Sequence, residues 1–197
     1  MENINNDVPQ HQPYRNEKVF NSGKTALEFN FSETNGSVNL ILAGPLVSKP
    51  GSFDWTGQKA FSTKLSDDEV ITLCMAFLRL THEAVLKDKK TKHHNKQVYK
   101  NVKVTFDGKS TAMMEGGVVA INKDERDINF IHKISIDPAA CLRLGLFLLS
   151  VILARNPGVP SDAVLTCMRL NANAQLQKKL FYLIIPVLRE FQKRYFP

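Results

Sequence analysis

Hydrophobic and polar residues alternate in short runs along the first third of the chain. Leu27, Phe29 and Phe31 interleave with Ala26, Glu28 and Asn30; Val38, Leu40 and Leu42 with Asn39 and Ile41; Phe61, Thr63 and Leu65 with Ala60, Ser62 and Lys64. Side chains of an extended chain point alternately to opposite faces, so a period of two predicts strands with one buried face. The period changes at Ser66-Asp67-Asp68-Glu69, a capping box in which serine and glutamate satisfy each other's free backbone amides. Val70, Leu73, Cys74, Phe77 and Leu80 then recur at helical spacing.

A lysine-rich stretch from Lys87 to Lys96 reads as a linker to a second set of strands. Val98, Val102, Val104 and Phe106 share one face; Val119 and Ile121 follow Gly116-Gly117, a turn or bulge signal; Phe130, Ile134 and Ile136 complete the set. Asp137 caps a helix with Pro138 at its first position. Placing Leu65-Ser66 over Ile136-Asp137 brings the two caps and their helices into register. The pattern thus predicts a duplicated β-β-β-β-α unit.

The helix from Pro138 to Arg155 is apolar almost all round and must be covered on every side, by the sheets or by another protomer. Asn156-Pro157-Gly158 ends it. Helical spacing resumes from Ser161 to Phe196, with a kink expected near Pro186 and a stripe of Leu176, Leu180, Leu183, Val187 and Phe191. One small domain does not easily hide so much apolar helix, so a homo-oligomer is expected. Residues 1–16, rich in Asn, Gln and Pro, read as a disordered lead-in. The expected organisation is that lead-in, a folded domain over 17–154, and a helical extension over 155–197 serving oligomerisation.

Composition narrows the function. With 43% hydrophobic and 23% charged residues the chain is globular, and 26 Lys and Arg against 19 Asp and Glu leave a net charge of +7. Such an excess favours polyanionic partners, because cationic side chains displace the counterions that phosphates hold. Cys74, Cys141 and Cys167 are odd in number and lack metal-ligand spacing, which fits a reduced, intracellular compartment. Glu2 and Asp7 argue against a transit peptide, and the apolar run Leu144 to Ala154 is too short to span a bilayer, so no membrane association is expected.

Catalytic signatures are missing from the sequence: it has no Walker lysine loop, nucleophile elbow, His-Glu-x-x-His or dinucleotide fingerprint. Asp67-Asp68-Glu69 is explained by the dipole of a first helical turn. Asp124, Glu125 and Asp127 are interrupted by Lys123 and Arg126, and His93-His94 has no partnering ligands. The reading is a non-enzyme with no catalytic residue, metal or cofactor.

Two stretches carry a resemblance. Val19 to Leu27 resembles the Lys-Gly-Lys-Ala-Ala-Leu segment that opens the first strand in the Whirly family, with Gly23, Lys24, Ala26 and Leu27 matching while Ser22 and Thr25 depart. Phe53-Asp54-Trp55, followed by Gln58-Lys59-Ala60-Phe61 and Ser66-Asp67-Asp68-Glu69-Val70, is similar to the family's aromatic-Asp-Trp segment leading through a basic strand into a helix start. Kinetoplastid mitochondrial guide-RNA-binding proteins share the architecture. The resemblance implies an α+β fold of two antiparallel four-stranded sheets packed like blades, helices joining protomers into a tetramer, and single-stranded nucleic acid crossing the sheets. The long final helix and the lysine-rich stretch depart from the Whirly pattern.

The expected function is therefore a DNA-binding protein for single strands, with little sequence specificity, acting in replication, repair or transcription. The alternatives are RNA binding or annealing of the guide-RNA-binding type, and a structural assembly protein without nucleic acid. A bacterial or phage-infected cytoplasm is the expected location, ahead of an organellar nucleoid. Aromatic platforms and cations answer unstacked bases and phosphates. Lys18, Phe20 and Lys24, then Trp55 and Lys59, interleave the two kinds of residue, with Lys24 the leading candidate. Trp55 serves equally as a base contact or a loop anchor. Lys64, Lys103 and Lys133 fall opposite the apolar set of their strands, suggesting a cationic sheet face. Lys89 and Lys90 stand for the lysine-rich stretch, as a phosphate clamp or a solvated loop. Phe29, Phe31 and Phe61, and with them Phe106 and Phe130, read as core.

Overall fold

The computed structural model describes residues 16–21, 24–108 and 111–195, with side chains as far as 178. The chain divides into two compact units, Met1–Gly158 and Val159–Pro197. Of the expected lead-in over residues 1–16, residues 1–15 lie outside the described residues, and Asn16 belongs instead to the first strand.

The first unit is two antiparallel four-stranded sheets, each followed by a helix. Strands β1 (Asn16–Asn21), β2 (Thr25–Ser32), β3 (Ser37–Ala43) and β4 (Phe61–Leu65) pair in chain order and lead into α1 (Asp67–Phe77). Strands β5 (Glu83–His93), β6 (Lys96–Phe106), β7 (Ala112–Ala120) and β8 (Phe130–Ile136) repeat the plan and lead into α2 (Pro138–Arg155). A short 3-10 segment, Lys123–Ile128, joins β7 to β8. The duplicated unit is thus present as expected.

Its helix starts are made by the expected residues. The Ser66 hydroxyl accepts from the Glu69 amide at 3.3 Å while a Glu69 carboxylate oxygen accepts from the Ser66 amide at 2.7 Å. Asp137 accepts from the Ala140 amide at 2.9 Å, with Pro138 in the first turn. Helix α1 stops at Phe77, so Leu80 lies beyond it. Arg79 closes that end with a φ of +63° and stacks on Phe106 at 3.9 Å.

One face of the first sheet is core. Leu27, Phe29, Val38, Leu40, Leu42 and Phe61 are fully buried, and the Phe29 ring meets Phe77 of α1 at 6.0 Å and Phe147 of α2 at 6.2 Å. Phe31, Phe106 and Phe130 are only half-buried, because each stands near a strand end. On the second sheet Val98, Val102, Val104, Met114, Ile134 and Ile136 form the inner face. Lys100 is in phase with them.

Two expectations about the second sheet need correction. The stretch Lys87 to Lys96 is not a linker: most of it is β5, closed by a two-residue hairpin at His94 and Asn95 with φ of +45° and +66°, the signature of a type I′ turn. Gly116-Gly117 is neither turn nor bulge. Both glycines sit inside β7, paired with Val102 and Asn101, and the bulge falls instead at Lys87-Asp88 of β5. Val119 and Ile121, which follow that glycine pair, are exposed, and Val118 is the buried neighbour.

Helix α2 also differs. It is not covered on every side: Leu142 and Leu146, one turn apart, are 53% and 47% exposed in the single chain. Its eighteen residues are long and apolar enough to cross a membrane by composition, which overturns exclusion by length alone. Phe147, Leu148, Val151 and Ile152 are nevertheless buried within the protein, as in the core helix of a globular fold.

The second unit holds α3 (Ser161–Tyr195), a single helical element that includes Pro186. Leu176 of the expected stripe is exposed; Leu180, Leu183, Val187 and Phe191 lie outside the described side chains.

Candidate nucleic-acid interface

The polar face of the first sheet follows from strand register. Lys18 and Phe20 of β1 stand opposite Glu28 and Ala26 of β2; Glu28 and Asn30 stand opposite Ile41 and Asn39 of β3; those two stand opposite Ser62 and Lys64 of β4. Alternation puts all of them on the side away from the core. Lys18 pairs with Glu28 at 3.3 Å and sits 5.1 Å from the Trp55 ring.

An aromatic cluster marks one end of this face. Phe20 is 59% exposed, 5.6 Å from the Phe53 ring and 6.5 Å, edge to face, from Trp55. Trp55 is half-buried, and its loop is tightly built: the Gly57 amide donates to Asp54 at 2.8 Å, and a Cβ on Gly57 would lie 1.7 Å from that carboxylate. Two histidines fix the strand-ward end of the loop. His93 holds the Gln58 carbonyl through Nε2 at 2.8 Å, and His132 Nε2 holds the Lys59 carbonyl.

Edge strand β4 lies against the second sheet. The buried Lys100 ammonium donates to the Ser62 carbonyl, and the Lys89 ammonium donates to the Lys64 carbonyl and the Glu69 carboxylate. A groove of about 390 Å³ opens here, lined by Asn30, Asn39, Lys64, Lys89, Thr91 and Lys100 among others. A second hollow of about 190 Å³ shares Ser62 and Lys100 with it and reaches Trp55, Lys92 and His94. Among the described residues no carboxylate lines either hollow. Together they run from the Asn30–Asn39 pair to the aromatic cluster. Burial, then the nearby Lys89 charge, pushes the Lys100 pKa down.

No protein-family model matches the sequence, and no curated protein matches it either. Solved structures do. The plant transcriptional regulator PBF-2 aligns with a TM-score of 0.51 at 16% identity, covering 71% of this chain and 80% of its own. WHY1 from Arabidopsis thaliana aligns with a TM-score of 0.52 at 20% identity, covering 73% and 85%. The fold is Whirly-like. It comprises two antiparallel four-stranded sheets with helices following, as the sequence resemblance implied.

Within this Whirly-like frame the candidate residues separate into two groups. Lys18, Phe20, Trp55, Lys64 and Lys89 gather on the polar face and its groove. Lys59 is exposed on the adjoining loop, and Lys24 is exposed in the β1–β2 turn, where its backbone amide donates to Asn21 at 2.8 Å. Lys90, Lys103 and Lys133 project from the outer face of the second sheet, where Lys133 pairs with Glu115 at 2.6 Å. The single cationic face expected from Lys64, Lys103 and Lys133 is therefore two faces on two sheets. Lys89 and Lys90 point to opposite sides because they are neighbours in a strand.

Lys100, the most enclosed cation of the groove, escaped the sequence reading. A signal existed: a lysine in phase with Val98, Val102 and Val104 is a charge at a core position. Phe53 belonged to the resemblance motif but not to the candidate set. Among the described residues no three His, Cys, Asp or Glu side chains cluster to hold a metal.

Proposed function

We propose that this protein binds single-stranded nucleic acid, DNA in the first instance, along the polar face of β1–β4 and the groove beside β4. Phosphates meet Lys64, Lys59 and the β5 lysines, and bases stack on Phe20 beside Trp55; every sequence offers both contacts, so overall preference is small. The observation supporting this reading is the groove itself, lined by three lysines and, among the described residues, no carboxylate, and leading to an exposed aromatic ring. A role in replication, repair or transcription, without catalysis, accords with such binding.

Self-association belongs to the same proposal. The exposed Leu142 and Leu146 of α2 suit a second copy, and the resemblance implies a tetramer; a measured solution mass tests it.

Titration of labelled oligonucleotides tests the binding. Tight single-strand binding, weaker duplex binding and a steep loss of affinity with salt are expected. Lys24→Glu with Lys59→Glu is expected to weaken it without unfolding the chain. No binding at low salt would sink the proposal in favour of a structural assembly role, and RNA bound more tightly than DNA of the same sequence would move it to the guide-RNA-binding kind.

A further inference from the structure

We infer that the groove beside β4 receives one base of the bound strand and selects guanine, thymine or uracil, with a carbonyl at purine position 6 or pyrimidine position 4, over adenine and cytosine, with an amino group there. This rests on the nucleic-acid reading above and adds a local preference to it.

The groove has the room and the surface for a base. At about 390 Å³ it holds far more than a phosphate, and Ile41 gives it an apolar patch beside the Asn30 and Asn39 pair. Those two asparagines are cross-strand partners, so their amides lie side by side. An amide offers either its oxygen or its nitrogen and suits many base edges.

The lysines do not share that freedom. An ammonium has three donors and no acceptor. Lys100 is 6% exposed, with its Nζ held by the Ser62 carbonyl and 6.0 Å from the Phe61 ring. One donor is thereby used, and the others border the groove. Lys89, its cross-strand partner, is held by Glu69 and the Lys64 carbonyl. These two tethered lysines thus offer an incoming base donors alone.

Base edges differ in that respect. Guanine O6 and thymine O4 are acceptors, whereas adenine N6 and cytosine N4, at the corresponding positions, are amino donors. A carbonyl completes the Lys100 ammonium. An amino group sets donor against donor and leaves the buried charge under-satisfied. A phosphate in the same place would satisfy the lysines without distinguishing bases, so the two occupants differ in a measurable way.

Fluorescence anisotropy with the full chain and labelled oligo(dU) and oligo(dC) of equal length, at neutral pH, tests this. The two differ at ring position 4, carbonyl against amino. Oligo(dU) is expected to bind about tenfold tighter, within the range of one good base contact. The purine pair, hypoxanthine against adenine, is expected to show the same sign and needs no variant. Lys100→Met should bring the ratio near one, and Lys100→Arg, which keeps the donors, should retain it. Equal affinities in the unaltered protein overturn the base preference and leave general binding standing. A preference surviving Lys100→Met, in a chain whose circular dichroism is unchanged, overturns the assignment to Lys100. Failure to bind either oligonucleotide overturns the general reading and this inference together.

Discussion

Gly116 of β7 lies directly against Leu42 of β3: a Cβ at Gly116 would sit 2.4 Å from the Leu42 Cδ1 and 3.2 Å from the Phe61 ring. The two sheets touch here more closely than any side chain would permit. Both Leu42 and Phe61 are fully buried, so neither can swing aside freely. Gly116→Ala is expected to destabilise the protein by about 1–3 kcal/mol, the usual cost of overpacking a core. At Gly117 the added Cβ meets nothing nearer than 3.6 Å, and Gly117→Ala should change stability by less than about 0.5 kcal/mol. Urea unfolding of the two variants makes the comparison, and equal losses would mean that the sheets do not meet at Gly116.

The capping box of α1 joins local structure to the groove. Glu69 accepts from the Lys89 ammonium while its carboxylate serves the Ser66 amide. Ser66→Ala removes the acceptor for the Glu69 amide and is expected to cost about 1 kcal/mol in urea unfolding. Asp137→Ala, at the equivalent start of α2, should cost a similar amount. A neutral result at both positions would mean that packing alone sets the helix starts.

Which features the sequence revealed depended on whether neighbours within a few residues determined them. Strands β2, β3 and β4 were legible because one face is core and the other polar, and both helix starts because their caps are local. Strand β1 was not set out by alternation, since Val19 is its one fully inward apolar residue. Strand β5 was hidden by its lysines and by a turn built from His94 and Asn95 without glycine. Lys64, Lys18 and Phe20 were legible as candidates. Their gathering with Lys89 and Lys100 was not, because it depends on β4 meeting a strand from the other half of the duplication. The separation of Lys103 and Lys133 from Lys64 follows from the same long-range packing.

Phe20 offers a clean separation of binding from stability. Its ring is largely exposed, so Phe20→Ala should leave the urea midpoint nearly unchanged. If a base stacks on it, affinity for a single strand should fall by about 1–3 kcal/mol in anisotropy titration. Phe29→Ala is the opposite control: the ring is fully buried between Phe77 and Phe147, and about 3–5 kcal/mol of stability should be lost. Undiminished affinity in Phe20→Ala would move the stacking surface elsewhere.

The three cysteines should differ in reactivity. Burial pushes the Cys74 thiol up to about 12, and its Sγ contacts the Gly145 carbonyl at 3.5 Å. Cys141 is also buried and raised, chiefly by desolvation, whereas Cys167 is exposed. Only the thiolate reacts with disulfide reagents. One thiol per native chain should react rapidly near pH 8 and three after unfolding, with Cys167→Ser removing the fast phase. Rapid reaction of a second thiol in the native protein would contradict this packing.

His93 predicts the direction of acid sensitivity. Its ring is buried at the hairpin end of β5, and its pKa is pushed below 6.5, first by burial and further by the charges of His94 and Lys100, against the opposing pull of the Gln58 carbonyl. The unfolded chain therefore takes up a proton near pH 6.5, and the folded chain only at lower pH. Between those two values the unfolded state holds more protons, so stability falls as the pH is lowered through that window. Above it both states are neutral at this residue and its contribution is fully present. The melting temperature should decline from about pH 7 toward pH 5, and His93→Gln, whose amide can still donate to Gln58, should decline less steeply. Parallel slopes for the two proteins would assign the acid sensitivity to groups other than His93.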